Sequence, residues 1–336
     1  MEKLALVVTS IAAPNATLKA LAQGSKENNF EFILIGDESS PPDFYLRGCR
    51  FYSLADQQKL SFQLANLLPT RHYARKNLGY LIALGEGATT IVETDDDNLP
   101  KQDFWATRMR RQSVPVVTGT GWLNVYRYFT DTNIWPRGLP LDQIRKPVSE
   151  WSTLQQQDVD CPIQQGLSDE NPDIDAIYRL VLPLPQNFRS DRRVALTAGS
   201  WCPFNSQNTA WWRDAFPLLY LPSYCSFRMT DIWRSFVAQR IAWANNWAIL
   251  YHSPNVTQER NEHDLLLDFR DEVPGYLNNK RFCAALDELE LKPGTEYLGE
   301  NLRQCYRRLV ALELFEEREL RLVDAWLEDI KTAGLA

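Results

Sequence analysis

The chain has 336 residues, of which 44% are hydrophobic and 24% are charged, and its formal net charge at pH 7 is -7. This length allows a large buried core, and the composition is ordinary for a soluble globular protein. The negative charge argues against a general nucleic-acid binder, which needs a basic face to neutralise phosphates.

The sequence shows no pattern typical of a membrane-spanning helix, a signal peptide or a cysteine motif. No apolar run approaches the roughly 20 residues that a membrane-spanning helix needs. The apolar part of residues 1–10 is too short for a signal peptide, and it includes Glu2. The six cysteines are scattered, without a CxxC pair or a Cys/His spacing suited to zinc. We therefore expect a cytoplasmic protein with no transmembrane segment and with reduced thiols.

The first hundred residues alternate between predicted strands and predicted helices. Apolar runs predict strands at residues 4–8, 30–37, 51–54 and 88–92, and helical periodicity predicts helices at residues 14–23, 56–68 and 72–85. This alternation indicates an α/β fold with a mostly parallel central sheet. In such sheets, ligands bind beyond the carboxyl ends of the strands.

The rest of the chain changes character twice. Residues 104–210 are irregular, with a short predicted strand at 114–119, and a helix is predicted within residues 226–245. Leu, Glu and Arg at helical spacing between residues 281 and 330 predict two or three further helices. We divide the chain into a domain of residues 1–265 and a C-terminal helical extension of residues 266–336. The extension forms a homodimer interface, a membrane-surface contact or a packed cap, and the sequence leaves these alternatives open.

The acidic run Thr94-Asp95-Asp96-Asp97-Asn98 directly follows the predicted strand at 88–92. Three carboxylates so close together repel one another, and a hard divalent cation such as Mg²⁺ or Mn²⁺, completed by substrate phosphates, compensates such a cluster. The alternative is a solvated turn, because Asp and Asn are common turn formers. Thr9, Ser10 and Asp37 also follow predicted strands, so three segments are expected to converge on one site.

Several segments resemble a known family. Residues 73–83, 87–88, 93–96, 207–209 and 228–234 are similar to STELLO-like glycosyltransferases, which are best known from plants. Residues 165–167, followed by 172–176, resemble a motif shared by that family and the reversibly glycosylated polypeptides, which are UDP-arabinopyranose mutases. The resemblance covers about residues 45 to 265. The plant STELLO proteins are larger and carry a membrane anchor, so we do not expect their Golgi-type location to apply here.

The resemblance implies a GT-A-type nucleotide-binding fold with a DxD motif at a strand end. Enzymes of this fold use a nucleotide sugar and usually Mn²⁺ or Mg²⁺. Asp95 and Asp97 have the DxD spacing, and residues two apart on an extended segment point the same way. We expect these two to hold the metal, and Asp95 and Asp96 to contact the donor. The STELLO pattern would instead pair Glu93 with Asp95, and this register is the alternative.

Further donor contacts are expected from the same resemblance. Asp37 would bind the base or ribose, and Thr9 and Ser10 would contact the nucleotide. Arg75 and Lys76 would pair with the diphosphate, for which Arg is well suited. The alternatives are a turn-forming Asp, simple strand termination and a solvated helix face.

Other acids and two histidines complete the candidates. Asp231 at a probable helix start is expected to be the general base, although a carboxylate there also stabilises a helix in its own right. Asp173 and Asp175 could bind sugar hydroxyls or form a structural pair. His252 and His263 are candidates for an additional metal ligand.

The sequence therefore predicts a metal-dependent glycosyltransferase that moves a sugar from a UDP- or GDP-linked donor to a glycan or small-molecule acceptor. One alternative is a nucleotide-sugar mutase, which uses the same donor site without a separate acceptor. Another is a non-catalytic regulator of a polysaccharide-synthesis complex, although the intact acidic run counts against it. The sugar, the acceptor and the stereochemical outcome stay open.

Overall fold

The computed structural model describes residues 2–260 and 264–335, and within them it contains one large sheet, a two-stranded sheet and nine α-helices. The strands are β1 (Leu4–Thr9), β2 (Phe30–Ile35), β3 (Arg50–Tyr52), β4 (Thr90–Thr94), β5 (Asn98–Pro100), β6 (Arg111–Val117), β7 (Gly121–Trp122), β8 (Gln155–Asp160), β9 (Ile163–Asp169), β10 (Arg193–Leu196), β11 (Ser200–Trp201), β12 (Asn208–Trp212) and β13 (Ile249–Gln258). The helices are α1 (Ala16–Glu27), α2 (Leu54–Gln57), α3 (Leu64–Leu67), α4 (Lys76–Gly85), α5 (Ala176–Val181), α6 (Thr230–Ala244), α7 (Leu265–Asp287), α8 (Leu298–Ala311) and α9 (Glu319–Thr332).

The large sheet has two parts that differ in strand direction. Its strand order is β3-β2-β1-β4-β12-β9-β13-β10-β6-β8, and β5 pairs with β13 outside this path. The pairs among β3, β2, β1 and β4 are all parallel, whereas β12 runs antiparallel to both β4 and β9. The predicted α/β fold is confirmed, with the parallel part where the alternating pattern predicts it and a mixed sheet beyond.

Strands β1, β2 and β4 of the parallel part are almost entirely buried, which explains their largely apolar sequences. Helix α1 covers one face, and its N-cap residue Asn15 accepts a hydrogen bond from the Leu18 amide at 2.8 Å. Helix α4 covers the other face at close range, because a Cβ on Gly79 would lie 2.5 Å from Cγ1 of Val7. This close packing fixes where α4 begins, and therefore where its first residues lie relative to the end of β4.

The prediction of one helix at residues 56–68 is wrong. This segment forms the short helices α2 and α3, with non-helical residues between them. The carboxylate of Asp329 accepts hydrogen bonds from the amides of Gln63 and Leu64, both at 2.8 Å, and so caps α3 from a distant helix. Local periodicity cannot show such a partner.

The C-terminal helices pack against the same core as the sheet. The indole of the buried Trp326 in α9 donates a hydrogen bond to the carbonyl of Pro217 at 3.0 Å. Tyr306 in α8 packs edge-on against Tyr220, with 5.4 Å between ring centroids. The domain boundary at residue 265 stays a prediction. In the part of the chain that the structure describes, no helix combines the length and the apolar character needed to cross a membrane.

Candidate functional site

A cavity of about 420 Å³ opens at the carboxyl ends of β1 and β2. Its lining includes predicted site residues from four separate segments, as the rule for parallel sheets leads one to expect. These residues are Thr9, Ser10, Asp37, Arg75 and Asp96. The structure therefore brings together the residues that the sequence placed at neighbouring strand ends.

Aromatic rings form one wall of this cavity, which we call the donor cavity. His72 and Tyr73 stack with 5.7 Å between ring centroids, and Phe227 meets them edge-on at 5.3 and 4.9 Å. Phe227 remains 46% exposed although it is apolar. Burial lowers the pKa of His72 to about 4, despite the nearby Asp37, so the imidazole is neutral at pH 7. This wall is aromatic and uncharged, and it offers ring faces and edges against which a planar ring can pack.

The sequence did not single out these three aromatic residues. Tyr73 opens the first segment that carries the family resemblance, and Phe227 directly precedes the last. Their closeness in sequence to these segments was the one feature that could have marked Tyr73 and Phe227 as candidate site residues. Nothing in the sequence shows that α6 and α4 begin next to each other.

Asp37 lines the donor cavity, but its carboxylate also organises the surrounding loops. One oxygen accepts a hydrogen bond from the His72 amide at 2.9 Å, and the other accepts one from the Glu38 amide at 2.7 Å. The oxygens retain further lone pairs for a ligand. Asp37 therefore both shapes the cavity and offers an acceptor to it.

The acidic run forms a turn beside the donor cavity. Strand β4 ends at Thr94, and the Asn98 amide closes the turn by donating to the Asp95 carbonyl at 3.3 Å. The prediction that Asp95 to Asp97 is an extended segment is therefore wrong. The turn, rather than strand alternation, is what sets the directions of these carboxylates.

Each carboxylate of the turn has one protein partner. Asp95 accepts a hydrogen bond from the Lys76 ammonium at 2.8 Å, Asp96 accepts one from the Ser10 hydroxyl, and Asp97 accepts one from the Gln258 amide at 3.0 Å. Gln258 at the end of β13 was not predicted, because β13 itself was not recognised in the sequence.

Burial raises the pKa of all three carboxyls, and that of Asp97 rises to about 7 through burial and the nearby Asp95. Oδ1 of Asp97 and Oε1 of Gln258 are buried without any hydrogen-bond donor. Unpartnered, electron-rich oxygens of this kind suit a hard divalent cation. The residues of the turn therefore fit the metal that the resemblance implies.

The alternative register, with Glu93 as a ligand, does not fit this geometry. Glu93 is fully buried and accepts hydrogen bonds from Arg234 at 2.7 and 3.0 Å and from the Trp211 indole at 2.8 Å. The Tyr80 hydroxyl also donates to it. Glu93 thus neutralises a buried arginine instead of facing the cavity.

Arg75 and Lys76 lie inside the protein rather than on a helix face. The Arg75 guanidinium donates to Gln57 at 2.7 Å and to the Leu68 carbonyl at 3.1 Å, and it is 2% exposed. The Lys76 ammonium donates to Asp95 and to the Thr94 carbonyl at 3.0 Å. Pairing with a diphosphate stays a prediction for both residues, and the geometry of Arg75 argues against it.

Arg137 joins two of the predicted acids. Its guanidinium donates to Asp173 at 2.7 and 2.9 Å and to Asp231 at 2.9 and 3.1 Å. Although burial alone would raise it, the pKa of Asp231 falls to about 2, chiefly because of Arg137. Arg137 lies in the irregular middle of the chain, where no sequence pattern predicts its role.

This arrangement argues against Asp231 as the general base. The carboxylate is 4% exposed, it is engaged by a cation, and its low pKa makes it a weak proton acceptor. The Asp231 amide donates to the Tyr73 hydroxyl at 3.0 Å. Asp231 therefore connects Arg137 to the wall of the donor cavity.

Asp175 is structural, contrary to the expectation that it binds the sugar. It is fully buried and caps α5, because its carboxylate accepts from the Tyr178 amide at 2.8 Å. It also accepts from the Trp135 indole at 2.7 Å. Burial raises its pKa to about 6. These contacts argue against a role for Asp175 in binding the sugar, which stays a prediction.

The structure describes one of the two histidine candidates, His252, and it does not lie at the acidic turn. His252 lines a different cavity, where burial and the cations Arg108 and Arg193 lower its pKa to about 4. Those cations disfavour a metal ion there. His263 lies outside the described residues. Within those residues, no group of three or more His, Cys, Asp and Glu side chains is arranged to hold a metal ion.

The fold and site define an α/β protein with a ligand cavity and an acidic turn at the carboxyl ends of its parallel strands. A sequence profile of STELLO glycosyltransferases matches residues 228–336. Over 348 aligned residues, the chain is 28% identical to probable glycosyltransferase STELLO2 and 27% identical to probable glycosyltransferase STELLO1, both from Arabidopsis thaliana. The predicted resemblance to this family is confirmed. The alignments cover 98% of this chain and 45% and 44% of the two plant proteins.

Proposed function

We propose that this chain is a metal-dependent glycosyltransferase that moves a sugar from a UDP- or GDP-linked donor to a glycan or a small-molecule acceptor. One observation carries the proposal: Thr9, Ser10, Asp37 and Asp96, from three different strand ends, line one cavity beside the acidic turn. The similarity to proteins named as probable glycosyltransferases supports the same reaction class.

The donor cavity would hold the nucleoside. Its volume of about 420 Å³ lies within the range of small-molecule sites. The uncharged wall of His72, Tyr73 and Phe227 offers an aromatic surface for the base, and the Asp37 carboxylate offers an acceptor for a ribose hydroxyl or a base N–H.

The acidic turn would hold the cation together with the donor diphosphate. Asp95 and Asp97 are the residues that would bind it, and Mg²⁺ or Mn²⁺ on one or two carboxylates usually takes its remaining ligands from phosphates and water. When bound, the cation would neutralise charge that develops on the departing diphosphate. Lys76 holds one oxygen of Asp95 in place at 2.8 Å and offsets part of the negative charge of the turn.

Arg137, Asp173 and Asp231 would position the site instead of transferring a proton. The bidentate pairing of Arg137 with both carboxylates fixes the start of α6, and Phe227 of the aromatic wall lies just before that helix. Asn205 also donates to Asp173 at 2.8 Å. The group that deprotonates the acceptor is left unassigned, and so is the stereochemical outcome.

A thermal-shift experiment with matched variants tests the donor site. UDP, GDP, CDP and ADP are added with and without Mn²⁺ to the wild type, to Asp97→Asn, and to Asp158→Asn. Asp158→Asn removes the same charge from an exposed position on β8. We expect one nucleotide with Mn²⁺ to raise the melting temperature of wild type and Asp158→Asn, because a ligand of the native state stabilises it. Asp97→Asn should lose that shift.

Two outcomes would contradict the proposal. If no nucleotide shifts the wild type, the cavity is not a donor site, and the non-catalytic alternative is favoured. If Asp97→Asn responds like Asp158→Asn, the acidic turn does not hold the cation. Once the nucleotide is identified, incubation with its sugar derivative alone distinguishes transfer from the mutase alternative, because only a mutase would form ring isomers without an acceptor.

A further inference from the structure

A second cavity, of about 670 Å³, lies over the sheet near β6, β9, β10 and β13. It shares no lining residue with the donor cavity. Its floor includes Val114 and Leu250, which belong to a small apolar cluster separate from the main core. We call it the sheet cavity.

Three arginines line the sheet cavity: Arg108, Arg192 and Arg193. Their side chains donate hydrogen bonds to neutral acceptors: Arg108 donates to the Phe104 carbonyl at 2.6 Å, Arg192 to the Tyr128 carbonyl at 2.8 Å, and Arg193 to the Gln112 side chain at 3.1 Å. Among the residues that the structure describes, no carboxylate lies within 4 Å of any of the three guanidiniums. Each guanidinium therefore keeps N–H donors that no internal anion uses.

The titration of His252 reflects the charge of the arginines in the sheet cavity. Burial lowers the pKa of Arg108 to about 10, and the negative charges of Asp103 and Glu2 partly oppose this shift. Burial, followed by the charges of Arg108 and Arg193, lowers the pKa of His252 to about 4. Asp103 and Asp191 also line the cavity, but both are exposed to solvent. A chain with a net charge of -7 thus keeps three arginines together here, and none of them forms an ion pair with another described residue.

The remaining lining suits a ligand rich in hydroxyl groups. The exposed side chains of Ser113, Gln156 and Ser190 offer both donors and acceptors, whereas Gln112 and Gln164 donate to main-chain carbonyls. Trp151 adds an aromatic surface, with the Arg192 guanidinium 4.5 Å from its ring centroid. A site for an inorganic anion alone would need neither this aromatic surface nor so large a volume.

We propose that the sheet cavity binds an acidic saccharide, that is, a sugar unit or short oligosaccharide that carries a carboxylate or a phosphate. The guanidiniums would pair with the anionic group, and the amides and hydroxyls would bind the sugar hydroxyls. This binding depends on the sheet cavity and not on the donor site, so it does not rest on the proposed transferase activity.

Strand β13 connects the sheet cavity to the acidic turn. Asn255 lines the cavity, and Gln258, three residues further along β13, contacts Asp97. Three residues of extended strand correspond to about 10 Å. A saccharide bound here therefore lies on the same strand that supports the acidic turn.

Calorimetric titration without nucleotide or metal tests the proposal. The ligands are trigalacturonate, which carries carboxylates, glucose 1-phosphate, which carries a phosphate, and maltotriose, which is neutral. The proteins are wild type, Arg193→Gln, Arg108→Gln and the control Arg321→Gln, which changes an exposed arginine on α9. Because Arg193 is itself exposed, its variant is expected to fold normally, and melting temperatures check all four.

We expect at least one acidic ligand to bind wild type at least tenfold more tightly than maltotriose, with an affinity that falls as salt is added. Arg193→Gln should weaken that binding about fivefold or more, and Arg321→Gln should leave it unchanged. The ligand that binds tells whether the anion is a carboxylate or a phosphate. The proposal is overturned if maltotriose binds equally well, if Arg193→Gln behaves like Arg321→Gln, or if no ligand binds.

Discussion

Two groups of carboxylates lie close together around the end of β4. They differ in whether the protein itself supplies charged partners and hydrogen-bond donors for all of their oxygens. Glu93 and Asp231 each face an arginine at 2.7 to 3.1 Å and are enclosed by the protein. In the acidic turn, by contrast, Asp97 keeps one buried oxygen without any donor, and its pKa is raised to about 7. The acids of the first group have all their partners within the protein, whereas the acidic turn keeps a carboxylate oxygen that lacks a hydrogen-bond donor.

This difference separates structural acids from ligand-binding acids better than their spacing in the sequence does. Removing a buried carboxylate that has a cationic partner costs stability, because the remaining charge is then buried without a counter-ion. A carboxylate with a free oxygen can be changed at little cost to the fold. Substitutions at four buried carboxylates test this distinction.

The largest effect is expected at Glu93. Glu93→Gln would leave the Arg234 guanidinium buried without its counter-ion, and breaking such a pair costs about 3 to 5 kcal/mol of unfolding free energy. Chemical denaturation measures this loss. Glu290→Gln, which changes an exposed glutamate, should stay within about 0.5 kcal/mol of wild type. A loss below about 1 kcal/mol at Glu93 would show that the enclosed pair is not structural.

Asp231→Asn distinguishes a positioning role from general-base catalysis. Arg137 would lose one of its two charged partners, at a cost of about 2 to 3 kcal/mol of unfolding free energy. We expect nucleotide binding to persist and the transfer rate at saturating substrate to fall less than about tenfold. Loss of a general base would instead leave the stability unchanged and lower the transfer rate about 100-fold or more. That result would show that Asp231 is the general base.

Glu319 is a buried carboxylate satisfied mainly by neutral donors: the Tyr220 hydroxyl and the amides of Ser223 and Tyr224. Burial raises its pKa to about 7. Since the folded state then binds more protons than the unfolded state between about pH 4.5 and 7, this group lowers stability as pH rises through that range. From pH 5 to pH 8, Glu319→Gln should gain on the order of 2 kcal/mol relative to wild type. Denaturation curves at both pH values measure the gain, and a constant difference would contradict the assignment.

Asp175→Ala should affect stability without affecting the donor site. The change removes the N-cap of α5 and the bond from the Trp135 indole, and loss of a cap costs about 1 to 2 kcal/mol. Thermal denaturation and titration with the nucleotide sugar measure the two properties on the same sample. If the variant kept its stability but bound the nucleotide sugar more weakly, that result would favour the predicted sugar-binding role of Asp175.

The parallel part of the fold was predictable because its signals are local. The apolar runs at residues 4–8 and 30–37 predicted β1 and β2, and the general rule for parallel sheets placed Ser10, Asp37 and the acidic turn at one edge. The helix predicted at 72–85 is present as a 3₁₀ turn followed by α4.

The rest depends on partners far away in sequence. Arg137 pairs with Asp173 and Asp231, and no periodic pattern links these three positions. Residues 56–68 follow a helical pattern, yet Asp329 caps a shorter helix within them. For the same reason, Asp175 could be recognised as a candidate acid but not as the cap of α5.

We propose that the donor cavity and the acidic turn form one site for a nucleotide and a divalent cation. Crystals soaked with Mn²⁺ and with the nucleotide identified by thermal shift provide the test, because anomalous diffraction locates the manganese. We predict a manganese peak about 2.0 to 2.6 Å from a carboxylate oxygen of Asp95 or Asp97, with the base against Tyr73 and Phe227. A nucleotide bound outside the donor cavity, or manganese bound away from both carboxylates, would contradict the account.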